Sequence, residues 1–256
     1  MAGQRTSSRR SAPLFCTRCP RRWSPRHHAL YSSHGTYTLI NGMGIGMHVE
    51  QIRTGGDRNF GYIIADAGHA AFVDPSYDPA RMARMASEWG YDVEYILTTH
   101  GHDDHTNGNE EAVRLTDARV VAHESSPIDA DIRVAHGDTL PLGNLMIHVI
   151  HTPGHTPDHV CYLVEDTLFT GDTLFVGKVG GTDTDESAHR EYDSLHQLLM
   201  LPEETRVLPG HDVGVQPEST IGNESRTDPF LLQPDFDTFL DLKKNWTEYK
   251  RIHGIT

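Results

Sequence analysis

Three imidazoles and two carboxylates stand within six positions at His100-Gly101-His102-Asp103-Asp104-His105, close behind the apolar run Tyr95-Ile96-Leu97-Thr98. Such a run reads as a buried strand, so the polar cluster begins where the strand gives way to a loop. Leaving that many polar groups unpaired beside a core would cost several kcal/mol. A divalent cation is the partner these residue types accommodate. In an extended strand end, residues two apart point the same way, so His100 and His102 can converge on one ion. Asp104 and His105, after the chain turns, face a neighbouring position. The spacing therefore predicts two ions side by side. Imidazole with carboxylate suits zinc, iron or manganese, and the lack of a thiolate argues against a closed structural zinc site.

Matching residues recur downstream. His155 lies in Thr152-Pro153-Gly154-His155-Thr156-Pro157, where proline and glycine on both sides make a rigid loop. Asp172 lies in Phe169-Thr170-Gly171-Asp172-Thr173, and its carboxylate can bridge two ions. His211 follows Leu208-Pro209-Gly210 and repeats the Pro-Gly-His order of His155. The candidates form two sets: His100, His102 and His155 for one metal, Asp104, His105 and His211 for the other, with Asp172 shared. His151 and His159 flank the His155 loop and are expected to hydrogen-bond the ligands from behind. His69, His123, His136, His148, His189, His196 and His253 read as surface or core residues.

The elements that must aim these side chains follow from the pattern. Residues 49–53, 60–65 and 70–73 read as an antiparallel meander, and 79–89 as a helix ending at Gly90. Residues 109–116 read as a helix behind the central cluster. Strands at 120–122, 132–135 and 145–150 are expected to start a second sheet, extended by 159–164 and 167–170. Residues 187–201 read as a helix, 206–208 as the last strand and 235–253 as one terminal amphipathic helix. Phe236, Phe239, Leu240, Leu242 and Trp246 give that helix an apolar side for the body or for a homodimer contact. Two matching halves predict two packed sheets with helices outside.

At 256 residues the chain fits one large domain, and no run of 18 apolar residues exists to span a membrane. The formal charge is −14, yet the first 34 residues hold seven arginines and no acid. Positions 35–256 carry 15 basic against 36 acidic residues, or −21, with only four lysines, which disfavours nucleic acid as a partner. Adaptation to high salt, where repulsion between acids is screened, is the reading favoured over plain solubility. Residues 1–46 read as a disordered extension, its Arg- and Ser-rich start being of organelle-presequence type unless Met43 or Met47 is the natural start. The domain is expected over 47–256. His27, His28, His34 and the lone pair Cys16 and Cys19 belong to the extension, and Cys161 reads as a core residue. Without a disulfide framework, a reducing, cytoplasmic compartment is the default.

The order His-x-His-x-Asp-His, then Gly-His155, Gly-Asp172 and Gly-His211, resembles the metallo-β-lactamase superfamily over about residues 48–230. The resemblance implies an α+β fold, the four-layer αββα sandwich, with two metals at one edge between the sheets. Two cations about 3.5–4 Å apart activate a shared water at neutral pH, which fits hydrolysis of a thioester, ester or lactone. Asp104 would then serve as ligand and as the catalytic group that handles the proton of that water. Aspartate at 172, where the zinc β-lactamases place cysteine, argues against antibiotic hydrolysis. The stretches Thr170-Gly171-Asp172-Thr173-Leu174-Phe175, Leu201-Pro202-Glu203-Glu204-Thr205, Pro209-Gly210-His211-Asp212 and Gly222-Asn223-Glu224-Ser225-Arg226-Thr227-Asp228-Pro229-Phe230 are most similar to glyoxalase II, the hydroxyacylglutathione hydrolases. That resemblance implies a small acyl substrate, a glutathione thioester among the candidates. Two departures stand out. The chain reads Val179-Gly180-Gly181, beside Lys178, where that family has Cys-Gly and a basic residue, and only 45 residues follow His211. Persulfide dioxygenases are also similar, and their single iron would correspond to His100, His155 and Asp172. A lactonase or β-lactamase ranks below both. Arg226 is expected in a structural salt bridge.

Overall fold

The computed structural model describes residues 46–254, within the compact unit Leu39–Thr256. The expectations for the extension, Cys16, Cys19, His27, His28 and His34 among them, lie outside the described residues. The chain opens with the expected meander, β1 (His48–Gly55), β2 (Asn59–Asp66) and β3 (His69–Val73), paired antiparallel. Every residue of β2 is buried. Its Tyr62 and Ile64 enter the core between the sheets, while Ile63 and Ala65 face the helices. A strand covered on both faces needs such a continuous apolar run.

Helix α1 (Pro79–Glu88) starts where its pattern says it should, with Asp78 accepting from the Arg81 N–H at 3.2 Å and proline in the first turn. Strand β4 (Asp92–Leu97) returns parallel to β3 and delivers the polar cluster into a single helical turn, α2 (Asp103–Thr106). Helix α3 (Asn109–Thr116), β5 (Arg119–His123) and β6 (Ile132–Val134) follow. The second sheet contains β7 (Thr139–Leu142), β8 (Leu145–His151), β9 (Val160–Val164), β10 (Thr167–Gly171), β11 (Arg206–Pro209) and β12 (Ser219–Thr220), with α4 (Asp185–Leu198) crossing between β10 and β11. Helices α5 (Ile221–Thr227), α6 (Phe236–Lys244) and α7 (Trp246–His253) complete the chain.

The six strands of each sheet run β1-β2-β3-β4-β5-β6 and β12-β11-β10-β9-β8-β7. One apolar layer lies between the sheets, a second beneath α1 and α3, and a third beneath α4 and α6, which is the expected αββα sandwich. Cys161 is buried in the third layer, as read from the sequence. Among the described residues no helix is long and apolar enough to cross a membrane.

Several elements differ from expectation. The strands at 120–122 and 132–135 were assigned to the second sheet, but β5 and β6 extend the first, each parallel to its predecessor. Helix α3 supplies the crossover from β4 to β5, a helix-free loop links β5 to β6, and strand patterning alone carries no record of which sheet a strand joins. The second sheet instead begins at β7, whose Pro141 masks it; a sheet edge tolerates the missing N–H. Strand β11 is not the last, because β12 pairs with it. The terminal helix is two, separated at Asn245, whose φ of −108° and ψ of 14° leave helical geometry. Phe239 and Leu242 of α6 are buried against the body, and Arg226 pairs with Glu203 at 2.8 Å on the surface.

Asp228, at the end of α5, is fully buried; Oδ1 accepts the Phe230 N–H at 2.8 Å and Oδ2 has no hydrogen-bond partner. Burial, with Glu224 nearby, pushes its carboxyl up to about 7. A carboxyl whose folded pKa lies above its unfolded one stabilises the fold below the unfolded value, and that stability is lost as pH rises through the folded pKa. Denaturant unfolding is therefore expected to show wild type losing stability between pH 4 and pH 8, by on the order of 3 kcal/mol from this group. Asp228→Asn should remove this group's share of that dependence, leaving the share of Glu191, which burial also raises to about 7; an unchanged pH profile would refute the assignment.

Candidate metal centre

The loops leaving β4, β8, β10 and β11 meet at one edge of the sandwich, and they carry the seven side chains singled out by spacing. Nε2 of His100 lies 3.0 Å from Nδ1 of His102, which lies 3.1 Å from Nε2 of His155. Beside this group, Nε2 of His105 and Nε2 of His211 are 3.2 Å apart, and Oδ2 of Asp104 is 3.8 and 3.4 Å from them. Asp172 stands between the groups, Oδ1 3.3 Å from His105 and Oδ2 3.6 Å from His155 and 3.4 Å from His211. Four of the seven, His100, His105, Asp172 and His211, are buried.

Nitrogen lone pairs aimed at one another at 3 Å repel unless a proton or a cation lies between them. Burial holds His100 well below the usual imidazole pKa and lowers His155 as well, so both stay neutral. Neutral imidazole is the form that binds metal. Burial would also lower His105, but the carboxylates of Asp172 and Asp74 outweigh it and hold the ring well above its ordinary value. The burial that would raise Asp172 is overcome by His105 and His211, which keep its carboxyl well below the usual range. Oδ1 of Asp172 is nevertheless without a hydrogen-bond partner. A donor set of imidazoles and carboxylates with an orphaned, buried carboxylate oxygen at its centre fits divalent cations.

Each ring is turned by a partner on its far nitrogen. Nδ1–H of His105 donates to Asp74 at 2.8 Å, that of His155 to the Gly181 carbonyl at 2.8 Å, and that of His211 to the Asp57 carbonyl at 2.8 Å. His100 Nδ1 meets the Thr99 hydroxyl at 3.1 Å, which itself donates to Asp74 at 2.6 Å. These bonds leave Nε2 of four rings free to face inward. Gly210 lets the His211 loop close in, because a Cβ there would come within 2.5 Å of Asp172 Oδ1.

Of the two flanking histidines, only His159 reaches the centre. It accepts the Asp172 N–H at 3.0 Å and stacks on His100, with ring centroids 4.9 Å apart. His151 turns away, bonding the Pro157 carbonyl at 2.9 Å and stacking on His123 at 4.0 Å. Alternation separates the two: His151 shares the face of Leu145, Ile147 and Val149, toward the first sheet, where it meets His123 and not the ligand loops, while His159 lies on the opposite face.

Two residues at the centre carried no such expectation. Asp74, after β3, binds His105 and both the N–H and hydroxyl of Thr99. Its Asp-Pro step reads as a turn that closes the meander, though an acid leaving a strand at the edge where β4 also ends is a usable signal. Asn59, the first residue of β2, donates to the Asp104 carbonyl at 3.0 Å and to its carboxylate at 3.2 Å; nothing local in the sequence marks it. Asp74→Asn is expected to weaken binding of a divalent ion by about 10- to 100-fold, read by chelator competition. Wild-type affinity in that variant would show that Asp74 serves folding alone.

The sequence matches the metallo-beta-lactamase superfamily over residues 54–127 and 124–211. It is 36% identical over 177 residues to a hydroxyacylglutathione hydrolase of Polaromonas sp. (strain JS666), covering 65% of this chain and 67% of that one. With the hydroxyacylglutathione hydrolase of Rhodopseudomonas palustris (strain BisB18) it shares 38% identity over 163 residues, covering 60% and 62%. The chain thus spans roughly two thirds of the length of these curated relatives. Among solved structures it is similar to ETHE1 from Myxococcus xanthus, with 33% identity, a TM-score of 0.74 and coverage of 78% of this chain and 91% of that one. TTHA1623, crystallised in a di-iron-bound form, aligns with 28% identity and a TM-score of 0.60 over 71% of this chain and 100% of that one. The αββα layers, the strand-end edge where the seven residues meet and the matched span agree: the chain belongs to the metallo-beta-lactamase superfamily.

Proposed function

We propose that the chain is a metal-dependent hydrolase of the glyoxalase II type, cleaving a thioester of a small acyl group. His100, His102 and His155 would hold one divalent ion and Asp104, His105 and His211 a second, with Asp172 placed to serve both. The observation that carries this reading is Asp172 itself, a buried carboxylate within 3.6 Å of ring nitrogens from both sets and with one oxygen unpartnered. The curated relatives named hydroxyacylglutathione hydrolase support the reaction, and the di-iron-bound form of TTHA1623 supports two ions, here zinc, iron or both, with manganese as a further candidate.

Divalent ions bound there would supply a water acidified to a pKa near 7 and a Lewis acid for the scissile carbonyl. The chain supplies the rest. Asp104 is 36% exposed in its side chain, with Oδ2 toward His105 and His211, so it can take the proton of the attacking water and pass it to the departing thiolate. The Asn59 amide holds that carboxylate in place. Burial of His100, His105 and His211 keeps bulk water from competing for the inner face. The C–S bond breaks, leaving a carboxylic acid and a thiol.

Lys178 supports an anionic substrate. Its ammonium lies 5.2 Å from the centroid of the Phe175 ring, which is 6.0 Å from the ring centroid of His211. Among the described residues it makes no ion pair, unlike most basic side chains of this acidic body. It stands near the position where Gly181 replaces the family's basic residue, and it can meet a carboxylate of the thiol, glutathione included. The buried Cys161 fits a reducing, cytoplasmic setting.

A second reading, a mononuclear-iron persulfide dioxygenase, has two observations on its side. His155 and Asp172 come within 3.6 Å with the His100 ring 5.0 Å from His155, and the chain covers 91% of the Myxococcus xanthus ETHE1 structure. Elemental analysis of protein purified without added metal, with assays of S-lactoylglutathione hydrolysis and glutathione persulfide oxidation, separates the readings. Two ions with thioester cleavage is the expected result; one iron with oxygen uptake would replace it. Asp172→Ala should abolish turnover under either reading, and full activity would contradict both. Lys178→Ala should raise KM for a carboxylate-bearing thioester about 10-fold or more with little change in kcat, the scale of one charge-assisted hydrogen bond. An unchanged KM would remove Lys178 from recognition.

A further inference from the structure

Helix α4 carries one residue that breaks its own pattern. Ala188, Ser194, Leu195 and Leu198 lie on its buried face, and Glu191 stands among them as the one ionisable group, with 1% exposure. A charge at an inward helical position is costly unless paired, and such local violations mark sites that serve something other than stability. Its partner comes from the other end of the chain. Nζ of Lys243, on α6, donates to Oε2 of Glu191 and, at 2.7 Å, to the carbonyl of Gly180. The lysine side chain is 10% exposed and its ammonium lies 5.9 and 5.4 Å from the rings of Phe230 and Phe239.

Two loops of the metal centre rest on Glu191. A Cβ on Gly154, next to His155, would come within 2.3 Å of Glu191 Cβ, so that loop touches the backbone of α4 directly. A Cβ on Gly180 would lie 2.0 Å from the Asp172 carbonyl and 3.0 Å from Glu191 Oε1. One turn further along α4, the Ser194 hydroxyl donates to the Pro153 carbonyl at 2.8 Å. The peptide beyond Gly180 then presents the Gly181 carbonyl that receives the Nδ1–H of His155. From α6 to the candidate ligand the path is therefore Lys243, Gly180, Gly181, His155, with Glu191 as the anvil beneath both loops.

We infer that the Glu191–Lys243 pair is a positioning clamp for the ion held by His100, His102 and His155, fixing the Gly180–Gly181 segment that sets the His155 ring and making helix α6 part of the metal site. This rests on the metal reading above. The second set is oriented by Asp74, Asp57 and Asn59 and takes no hydrogen bond from the clamp. A clamp variant should thus affect one ion selectively.

The test is chelator-competition titration of zinc with the full chain at pH 8, alongside elemental analysis after dialysis and thermal unfolding. Wild type is expected to hold two equivalents. Lys243→Met should weaken one of them about 10- to 100-fold and leave the other unchanged, the scale for losing a bond behind a metal ligand. Lys244→Met, which removes the neighbouring exposed pair with Asp185, should match wild type. In a His155→Ala background the effect of Lys243→Met should vanish, because both changes act through the same ring. Glu191→Gln keeps the side-chain volume and should shift the same equivalent in the same direction; it decides the matter if Lys243→Met does not fold. Two equivalents at wild-type affinity in these variants, with only a lower Tm, would overturn the clamp and leave the pair as a dock for α6. Wild type that binds no divalent ion at all would overturn the metal reading first, and the clamp with it.

Discussion

Opposed charge and lone-pair density gathered around the Asp172 carboxylate is the constraint on which the structure is built. Burial alone would raise that carboxyl and lower the rings around it, yet the folded chain holds Asp172 ionised against His105 and His211. Such an arrangement is stable only if the surrounding frame over-determines the positions of the loops that carry it. The αββα sandwich is that frame.

Two sheets contribute to the centre, so the spacing between them sets its dimensions. The cluster after β4 comes from one sheet; His155, Asp172 and His211 come from the other. Two buried tyrosines cross-link the sheets beside the ligand loops. The Tyr62 hydroxyl donates to the Pro209 carbonyl at 2.5 Å, and the Tyr162 hydroxyl to the Thr98 carbonyl at 2.9 Å. Each ties a strand end of one sheet to the core of the other, two residues from a candidate ligand. The first residues of β2 join in, since the Phe60 N–H donates to the Gly210 carbonyl at 2.8 Å. Packing between the sheets thus becomes precision at their edge.

The C-terminal segment is bound into the same economy of buried polar groups. Glu191, Glu224 and Asp228 are all fully buried and all lie on or beside helices of the outer layer. Glu224 accepts the Gly177 N–H at 2.7 Å, while Lys243 reaches the Gly180 carbonyl, so the loop after Asp172 is gripped from two helices. Exposed pairs such as Arg226–Glu203 and Arg251–Glu248 belong to a different category, screened by solvent and worth little to stability. A body with so few lysines commits one of them to the interior.

Local rules read directly from the amino-acid order fixed much of this protein. The meander, the α1 boundary at Asp78-Pro79, the burial of Cys161 and the seven polar side chains that meet at the strand-end edge are legible, because strand runs, capping residues and Gly-His or Gly-Asp loop signatures are encoded within a few positions. What could not be read from order was partnership. Strand 120–122 joins the first sheet because α3 offers it a parallel crossover, strand 132–135 pairs beside it after a helix-free loop, and Pro141 hides β7 because proline is tolerated there only at an edge that folding creates. His159 and not His151 reached the centre because strand alternation, counted from the observed end of β8, sends the two rings to opposite faces. Asp74, Asn59, Glu191 and Lys243 are ordinary polar residues until tertiary packing removes water from around them. Hydrogen bonds between groups from 25 to 63 positions apart become decisive only in that dry interior, and no local pattern records them.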